Sequence, residues 1–201
     1  MPSVKSSDAR NVLRRDELKK VALNCGLEED LILLLGTVGL RFNEAVALKG
    51  KDLDLDQGMI RVQRAFSDIN GHIIEQTPKN GKERQVPIPD LVRSSLLNRK
   101  MQSGPEGYLF TSSNGGPLRN SNFTKRVWKP ALKAAGIDKK MTIHDLRHTA
   151  ASWLVQNGCK ISQLSKMLGH SDPSLTLDIY THLFDGDMEA LSEFINRADS
   201  A

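Results

Sequence analysis

One segment constrains the fold of this chain more than any other, because it is apolar on almost every side. Residues 28–38 contain a run of Leu, Ile and Val, and Gly39 follows them as a residue suited to ending a helix. A helix without a polar face is stable only when other elements surround it. The apolar run from Leu31 to Leu40 is far shorter than the ~20 residues that a membrane span requires. The segment therefore predicts a central helix inside a folded, soluble domain.

Length and composition agree with a single folded domain. The chain has 201 residues, of which 39% are hydrophobic and 26% are charged, and this excludes a disordered or collagen-like chain. Its two cysteines, Cys25 and Cys159, lie too far apart for a CxxC metal motif, and two cysteines do not make a disulfide scaffold. The start of the chain lacks the apolar core of a secretory signal. We therefore expect a protein of the reducing cytoplasm.

Hydrophobic periodicity predicts further helices and three strands. Besides residues 28–38, helices are predicted before Gly26, over 42–48, 91–100, 121–135 (kinked near Pro130), 143–156 and 162–168, and around Tyr180. The predicted strands are 59–66, 71–77 and 85–89. This order predicts an α+β fold that is mainly α-helical, with a small three-stranded antiparallel sheet. We expect residues 1–12 to be a linker remnant, 13–184 the domain, and 185–201 an amphipathic tail helix.

The net charge of +4 conceals a strong asymmetry. Residues 1–171 carry 27 bases and 17 acids, whereas residues 172–201 carry one base and seven acids. The segment 107–137 contains no acid, and its bases are Arg119, Lys125, Arg126, Lys129 and Lys133. A basic body suits a polyanionic partner. Charge alone, however, fits a solvated basic surface at least as well.

Two short segments in the first half of the chain contain candidate functional residues, although each also has a simple structural explanation. In residues 39–44, Arg41 and Glu44 stand three positions apart, which is typical of a surface ion pair on a helix. Residues 77–84 form a basic turn between two predicted strands. This turn is either a solvated hairpin or a tip that presents Lys79 to a phosphate. Neither segment identifies a function by itself.

Two histidine-containing segments lie further along the chain. In HDLRH, the side chains of His144, Arg147 and His148 share one face of a helix, and the two histidines resemble a zinc-binding pattern. The short acid after the first histidine, the neighbouring guanidinium and the lack of a third ligand argue against zinc. The second segment contains His170 and then Tyr180, in a stretch whose rhythm also fits a helix–turn–helix.

Taken together and in this order, the segments resemble the catalytic domain of the tyrosine recombinases, the phage integrase family. The resemblance extends from about Leu13 to Tyr180, and five pieces carry it: GLRFNE, TPKNGKERQVPIP, HDLRH, LGH and IYTH. Two departures stand out. The family also has an N-terminal core-binding domain, for which this chain has only a linker. The gap from His170 to Tyr180 is ten residues, where many members have nine.

The resemblance implies a catalytic set and a reaction. The catalytic residues would be Arg41, Lys79, His144, Arg147, His170 and Tyr180, with Glu44 as a supporting carboxylate. Tyr180 would attack a DNA phosphodiester to give a 3′-phosphotyrosyl bond and a free 5′-hydroxyl, followed by strand exchange and rejoining. Guanidinium groups suit the phosphate because they offer fixed pairs of donors and stay charged. No metal, nucleotide or other cofactor is therefore expected.

The resemblance also implies partners. These are double-stranded DNA attachment sites, further copies of the chain in a tetramer on DNA, and accessory DNA-bending proteins, with no membrane. The residues expected to contact DNA are Lys82, Arg84, Arg119, Lys125, Arg126 and Lys129. The tail would dock on a neighbouring subunit or pack on its own domain. Other classes stay open: a type IB topoisomerase-like enzyme, a DNA-binding module that does not cut, and more distantly a zinc hydrolase built on HDLRH.

Overall fold

The computed structural model describes residues 11–78 and 83–170 of the chain. Several sequence predictions concern residues outside these two ranges. They are the linker before residue 11, the basic residues Lys79 and Lys82, the helix around Tyr180, and the tail helix 185–201.

Helices make up about half of the described structure. In chain order they are α1 (Arg15–Leu23), α2 (Glu29–Val38), α3 (Phe42–Ala45), α4 (Asp90–Ser103), α5 (Asn120–Phe123), α6 (Lys129–Ala134), α7 (Asp145–Gln156) and α8 (Ile161–Leu168). Short 3₁₀ turns occupy Gly26–Glu28 and Gly50–Asp52, and a π-helical segment occupies Thr124–Trp128. Within the described ranges, none of these helices has the length and apolar character of a membrane span.

Helix α2 is the central helix of the domain, as its apolar sequence predicts. Leu31, Ile32 and Leu34 have no exposed surface, and α1, α4 and α7 pack around them. Gly39 ends the helix with a φ of 74°, and its N–H donates to the carbonyl of Leu35. Glycine adopts this left-handed conformation without steric cost. The prediction of a buried helix that ends at Gly39 is confirmed.

The strands form two antiparallel sheets. They are β1 (Leu53–Asp54), β2 (Met59–Val62), β3 (Ala65–Ile69), β4 (His72–Gln76) and β5 (Arg84–Pro87). The three-stranded sheet has the order β1-β2-β5, and β3 pairs with β4 in a separate hairpin. In the first sheet Val62 lies opposite Arg84, so the end of β2 fixes the start of β5. The predicted fold, mainly helical with a small antiparallel sheet, is confirmed.

The predicted strand 59–66 is wrong as a single element, because the chain leaves the sheet at residues 63 and 64. Gln63 Nε2 lies 2.7 Å from Asp52 Oδ1, and Arg64 Nη1 donates to the other oxygen of the same carboxylate. Consecutive side chains of a regular strand point to opposite faces, so both cannot reach one buried carboxylate. The break separates the β3–β4 hairpin from the three-stranded sheet.

The helix predicted over residues 121–135 is also irregular, at the place where Pro130 predicts a kink. Proline lacks an N–H and its ring displaces the carbonyl four residues earlier, here that of Arg126. The chain passes this point through the π-helical segment, which lets Trp128 turn fully into the core. The indole Nε1 of Trp128 then donates to the carbonyl of Met141 over 3.0 Å. This bond ties the segment to the loop that precedes α7.

Candidate active site

Arg147 joins two loops that lie far apart in sequence. It lies on α7, it is 4% exposed, and its guanidinium donates through Nη1 to the carbonyl of Gly39 over 2.9 Å and through Nη2 to the carbonyl of Leu168 over 2.8 Å. Gly39 stands two residues before Arg41, and Leu168 stands two residues before His170. One buried side chain therefore brings the GLRFNE segment and the LGH segment to the same place.

Glycine at position 39 is required by close packing as well as by its backbone angle. A Cβ atom added at Gly39 would lie 2.8 Å from Cδ2 of Leu168 and 3.4 Å from Cβ of Ala150. The loop after α2 can therefore approach the end of α8 and the wall of α7 only when residue 39 has no side chain. The close approach sets the distance between the two loops that Arg147 joins.

The buried carboxylate of Glu44 binds both the backbone and the guanidinium of Arg41. Glu44 has a 1% exposed side chain on the short helix α3, and its Oε2 accepts the backbone N–H of Arg41 over 3.0 Å. Its Oε1 accepts Nη1 of the Arg41 guanidinium, also over 3.0 Å. Burial favours a higher pKa for Glu44, but the bonds from Arg84 and Arg41 outweigh it and hold the pKa below its usual value. The carboxylate is therefore ionised at neutral pH.

Arg84 binds both oxygens of the same carboxylate. Its Nη1 lies 3.1 Å from Glu44 Oε1 and its Nη2 lies 2.6 Å from Glu44 Oε2, so the pair is bidentate. Its Nε donates to the carbonyl of Met167, near the end of α8, over 2.8 Å. The structure places Arg84 differently from the predicted DNA contact, because each of its three guanidinium nitrogens donates to an acceptor inside the protein.

A signal for this inward orientation was present in the sequence. Arg84, Val86 and Ile88 alternate with Gln85 and Pro87, which are exposed. Val86 and Ile88 are buried, at 0% and 5% exposure. Residues of one strand that share parity share a face. The apolar character of Val86 and Ile88 thus indicates that Arg84 also faces the interior. The basic residues of the preceding turn had favoured a DNA contact instead.

Helix α7, which contains most of the HDLRH segment, begins at Asp145, two residues later than predicted. Thr142 donates from its backbone N–H over 2.6 Å and from Oγ1 over 2.9 Å to Asp145 Oδ2. This turn leaves His144 at the N-cap of the helix, with its ring 5.2 Å from that of His148 in an edge-to-face arrangement. Partial burial, then the neighbouring charges of His148 and Arg147, lower the pKa of His144. Its imidazole is therefore neutral at pH 7.

His170 completes the cluster at the end of α8. Gly169 ends that helix with a φ of 68°, and the N–H of His170 donates to the carbonyl of Ser165 over 3.1 Å. Burial and, after it, the guanidiniums of Arg147, Arg41 and Arg84 lower the pKa of His170 to about 4. The imidazole lies close enough to these cations for their charge to affect its pKa. It is neutral at pH 7 and has one N–H to donate.

The structure thus brings together five of the predicted site residues and separates others from them. Arg41, Glu44, His144, Arg147 and His170 gather at one place, with Arg84 beside them. Lys125, Arg126 and Lys129 are exposed on the segment around Pro130.

Arg119 binds the β3–β4 hairpin and none of the side chains of this cluster. Its guanidinium is bound to Asp68 Oδ2 over 2.8 Å and to the carbonyl of Gly71 over 2.6 Å, at the turn of the β3–β4 hairpin. Lys79, Lys82 and Tyr180 lie outside the described residues.

The cluster is chemically suited to a phosphate. Three guanidiniums outnumber the Glu44 carboxylate, and the two imidazoles add neutral hydrogen-bonding groups. Fixed, planar guanidinium donors match the oxygens of a phosphate in geometry as well as in charge. Among the residues that the structure describes, His, Cys, Asp and Glu side chains form no group of three that could hold a metal ion.

A helical domain with these loops and this cluster has the fold of a tyrosine recombinase catalytic domain. The integrase of the Tn1549 transposon, solved with transposon right-end DNA, matches with a TM-score of 0.79 and 22% identity, over 94% of this chain and 65% of that chain. The XerH site-specific recombinase, solved with its difH substrate, matches with a TM-score of 0.65 and 25% identity. That match covers 92% of this chain and 53% of that chain.

The phage integrase family matches residues 12–186, and the chain belongs to this family. A tyrosine recombinase XerC-like protein of Caldanaerobacter subterraneus subsp. tengcongensis is 33% identical over 194 residues. The match covers 84% of this chain and 49% of that protein, so the chain spans about half the length of the curated relative that it matches. The resemblance drawn from five short sequence pieces is therefore confirmed.

Proposed function

We propose that this chain is the catalytic part of a site-specific DNA recombinase, which cuts and rejoins DNA strands through a tyrosine. One observation carries the proposal: the guanidinium of Arg147 hydrogen-bonds both to Gly39, beside Arg41, and to Leu168, beside His170. Three residues that the family motif requires are thereby held around one position. Buried donors fixed before the substrate arrives stabilise charge without reorganisation.

The proposed reaction transfers a phosphoryl group from DNA to Tyr180 and back. The phenol oxygen forms a bond to phosphorus, and the bond from phosphorus to the 5′ oxygen breaks. His144 accepts the phenol proton, and Lys79 donates a proton to the departing 5′ oxygen. After strand exchange, the 5′-hydroxyl of the other strand attacks the phosphotyrosyl bond, and the tyrosine leaves with its proton restored. The covalent bond conserves the energy needed for rejoining, so the proposal includes no nucleotide.

The remaining residues act on the phosphate. Arg41, whose side chain is 28% exposed, and Arg147 donate to the non-bridging oxygens, where negative charge grows in the transition state. His170 adds a neutral donor, and its low pKa keeps it in that form at neutral pH. The low pKa of His144 suits a base that must be neutral before it accepts a proton. Glu44 orients Arg41 through the bonds described for this pair.

The proposed partners follow from the same reaction. They are double-stranded DNA attachment sites, three further copies of the chain in a tetramer, and accessory DNA-bending proteins, all in the cytoplasm. The XerH recombinase, solved with its difH substrate in a pre-cleavage complex, supports a DNA partner. Lys125, Arg126 and Lys129 are exposed and are proposed to contact DNA phosphates. Residues 185–201 are proposed to dock on a neighbouring protomer.

Covalent trapping tests the proposal. The 201-residue chain is mixed with nicked duplexes built from the DNA that flanks its gene, so that cleavage releases a short strand and leaves the phosphotyrosyl bond in place. A denaturing gel should show a protein–DNA adduct with the wild-type chain and none with Tyr180→Phe. Salt-sensitive DNA binding without an adduct would instead identify a DNA-binding module. Relaxation of supercoiled DNA without exchange between two sites would identify a topoisomerase-like enzyme.

A further inference from the structure

Resting on the recombinase function proposed above, we propose that Arg84 is a positioning residue. It holds Arg41 and the loop that carries His170 in one fixed arrangement. Arg84 contacts Glu44, the end of α8 and, across the sheet, strand β2.

The first contact sets the orientation of the Glu44 carboxylate. Arg84 binds both oxygens of that carboxylate through two parallel bonds, whereas the guanidinium of Arg41 binds only Oε1. The carboxylate therefore cannot rotate without breaking the Arg84 pair. Because the Glu44 side chain is 1% exposed and that of Arg84 is 10% exposed, water cannot replace those bonds at low cost. The direction in which Glu44 holds Arg41 is consequently set by Arg84.

The second contact fixes the end of α8. Nε of Arg84 donates to the carbonyl of Met167, one of the carbonyls that a helix end leaves without an intrahelical partner. A cation is also favoured there by the helix dipole. A Cβ atom added at Gly169 would lie 3.0 Å from Nη1 of Arg84, so the guanidinium packs directly on the backbone that precedes His170.

The third feature is the rigid element on which Arg84 stands. It opens β5 and lies opposite Val62 of β2, whose side chain is fully buried. Groups held on paired strands keep their geometry better than groups held on loops. Arg84 shares the Glu44 carboxylate with Arg41 but binds both of its oxygens, so its main effect is on geometry, while Arg41 and Arg147 are the proposed donors to the phosphate.

Arg84→Lys is the variant that tests the role. Lysine keeps the positive charge but has a single ammonium group, which cannot bind both carboxylate oxygens and the Met167 carbonyl in the same planar arrangement. We expect DNA affinity close to that of the wild-type chain and adduct formation slower by ~10²-fold, as for a small misplacement of reacting groups. Arg93→Lys is the matched control, since Arg93 donates to the carbonyl of Leu55 on another part of the molecule. The Arg93→Lys chain should form the adduct at the wild-type rate.

A second readout does not depend on activity. The pKa of His170, followed by NMR without DNA, should rise from about 4 toward its ordinary value in Arg84→Lys, because the released loop is better solvated. Assignment is made by comparison with His170→Gln. If Arg84→Lys does not fold, Glu44→Gln combined with Arg84→Gln replaces the ion pair by neutral amides, and the same two changes are expected.

The outcomes separate this inference from the function on which it rests. An Arg84→Lys chain that cleaves at the wild-type rate, with an unmoved His170 titration, would overturn the positioning role alone. Weaker DNA binding by the chain that carries Glu44→Gln and Arg84→Gln, with the log K against log salt slope reduced by ~0.9, would make Arg84 a phosphate contact and would also overturn it. Absence of any adduct from the wild-type chain would count against the recombinase itself, and the His170 titration would still decide the role of Arg84.

Discussion

Buried guanidiniums are the feature of single residues on which this site depends. Arg147 and Arg84 donate to the Leu168 and Met167 carbonyls at the end of α8. Removing a charge from water is costly, and well-aligned hydrogen bonds offset that cost. These two carbonyls at the helix end thus gain hydrogen-bond donors, and the two buried guanidiniums gain acceptors. The outcome is positive charge held in place before any substrate binds. Burial and, after it, this charge lower the pKa of His170.

The depressed pKa of His170 makes folding stability depend on pH. Protonation is disfavoured in the folded chain, where the pKa is about 4, relative to the unfolded chain, where it takes its ordinary value of 6.5. Between these two values the unfolded state binds more protons, so the free energy of unfolding falls as pH falls from about 6.5 to 4. Urea unfolding at several pH values measures this loss. His170→Gln should show a smaller loss over that window, and an equal loss in both chains would contradict the assignment.

At the scale of elements, three short structural units arrange the site around helix α7, which carries Arg147. The loop after α2, the one-turn helix α3 and the end of α8 each contribute one or two groups. Their spacing depends on the close approach of Gly39 to Leu168 and Ala150. Protein interiors are close-packed, so an added methyl group at such a contact displaces the elements around it.

Gly39→Ala should therefore destabilise the domain by ~1–3 kcal/mol through backbone strain alone, with a further loss from the contact with Leu168. Gly26 provides a matched control, because it has a φ of 60° and nothing within 4 Å of an added Cβ atom. Gly26→Ala should show only the backbone part. The free energy of unfolding in urea gives both values. Equal losses would mean that the close contact between residue 39 and Leu168 does not affect the free energy of unfolding.

The site lies where two apolar clusters meet, which is visible only at the scale of the whole molecule. The main core includes Leu146 of α7, whereas Ala151 and Val155 of the same helix belong to a smaller cluster with Leu164 and Leu168 of α8. Helix α7 thus joins both clusters, and Arg147 stands on it between the two. Clefts that bind ligands commonly form at such junctions between packed units.

Exposed basic residues should determine how strongly salt weakens DNA binding by the whole molecule. Each Lys or Arg that neutralises a phosphate releases counterions, so Lys125→Gln should reduce the slope of log K against log salt by ~0.9. Lys19→Gln, at an exposed position on α1, is the control and should leave the slope unchanged. Fluorescence anisotropy at several salt concentrations gives the slopes. An unaltered slope for Lys125→Gln would remove that residue from the interface.

Local patterns were sufficient to predict much of the fold and part of the site. The apolar run of α2, the left-handed Gly39 and Gly169, and the irregularity before Pro130 all follow from the physical chemistry of a few neighbouring residues. The strand predicted over 59–66 was wrong because its break depends on Asp52, a residue outside the strand that binds two consecutive side chains. The alternation in β5 indicated which face Arg84 is on, but its partner could not be predicted for a related reason, since Glu44 is 40 positions away.

Within the described residues, the sequence by itself determined most of the helical segments, where two of those helices end, and which residue types are available for phosphate chemistry. Only the tertiary structure decided that Arg147 reaches Gly39, 108 positions away, and that Arg84 reaches Met167, 83 positions away. The physical reason is the distance along the chain over which each effect acts. Periodicity and capping act over one or two turns, whereas the meeting of distant side chains depends on how the whole core packs.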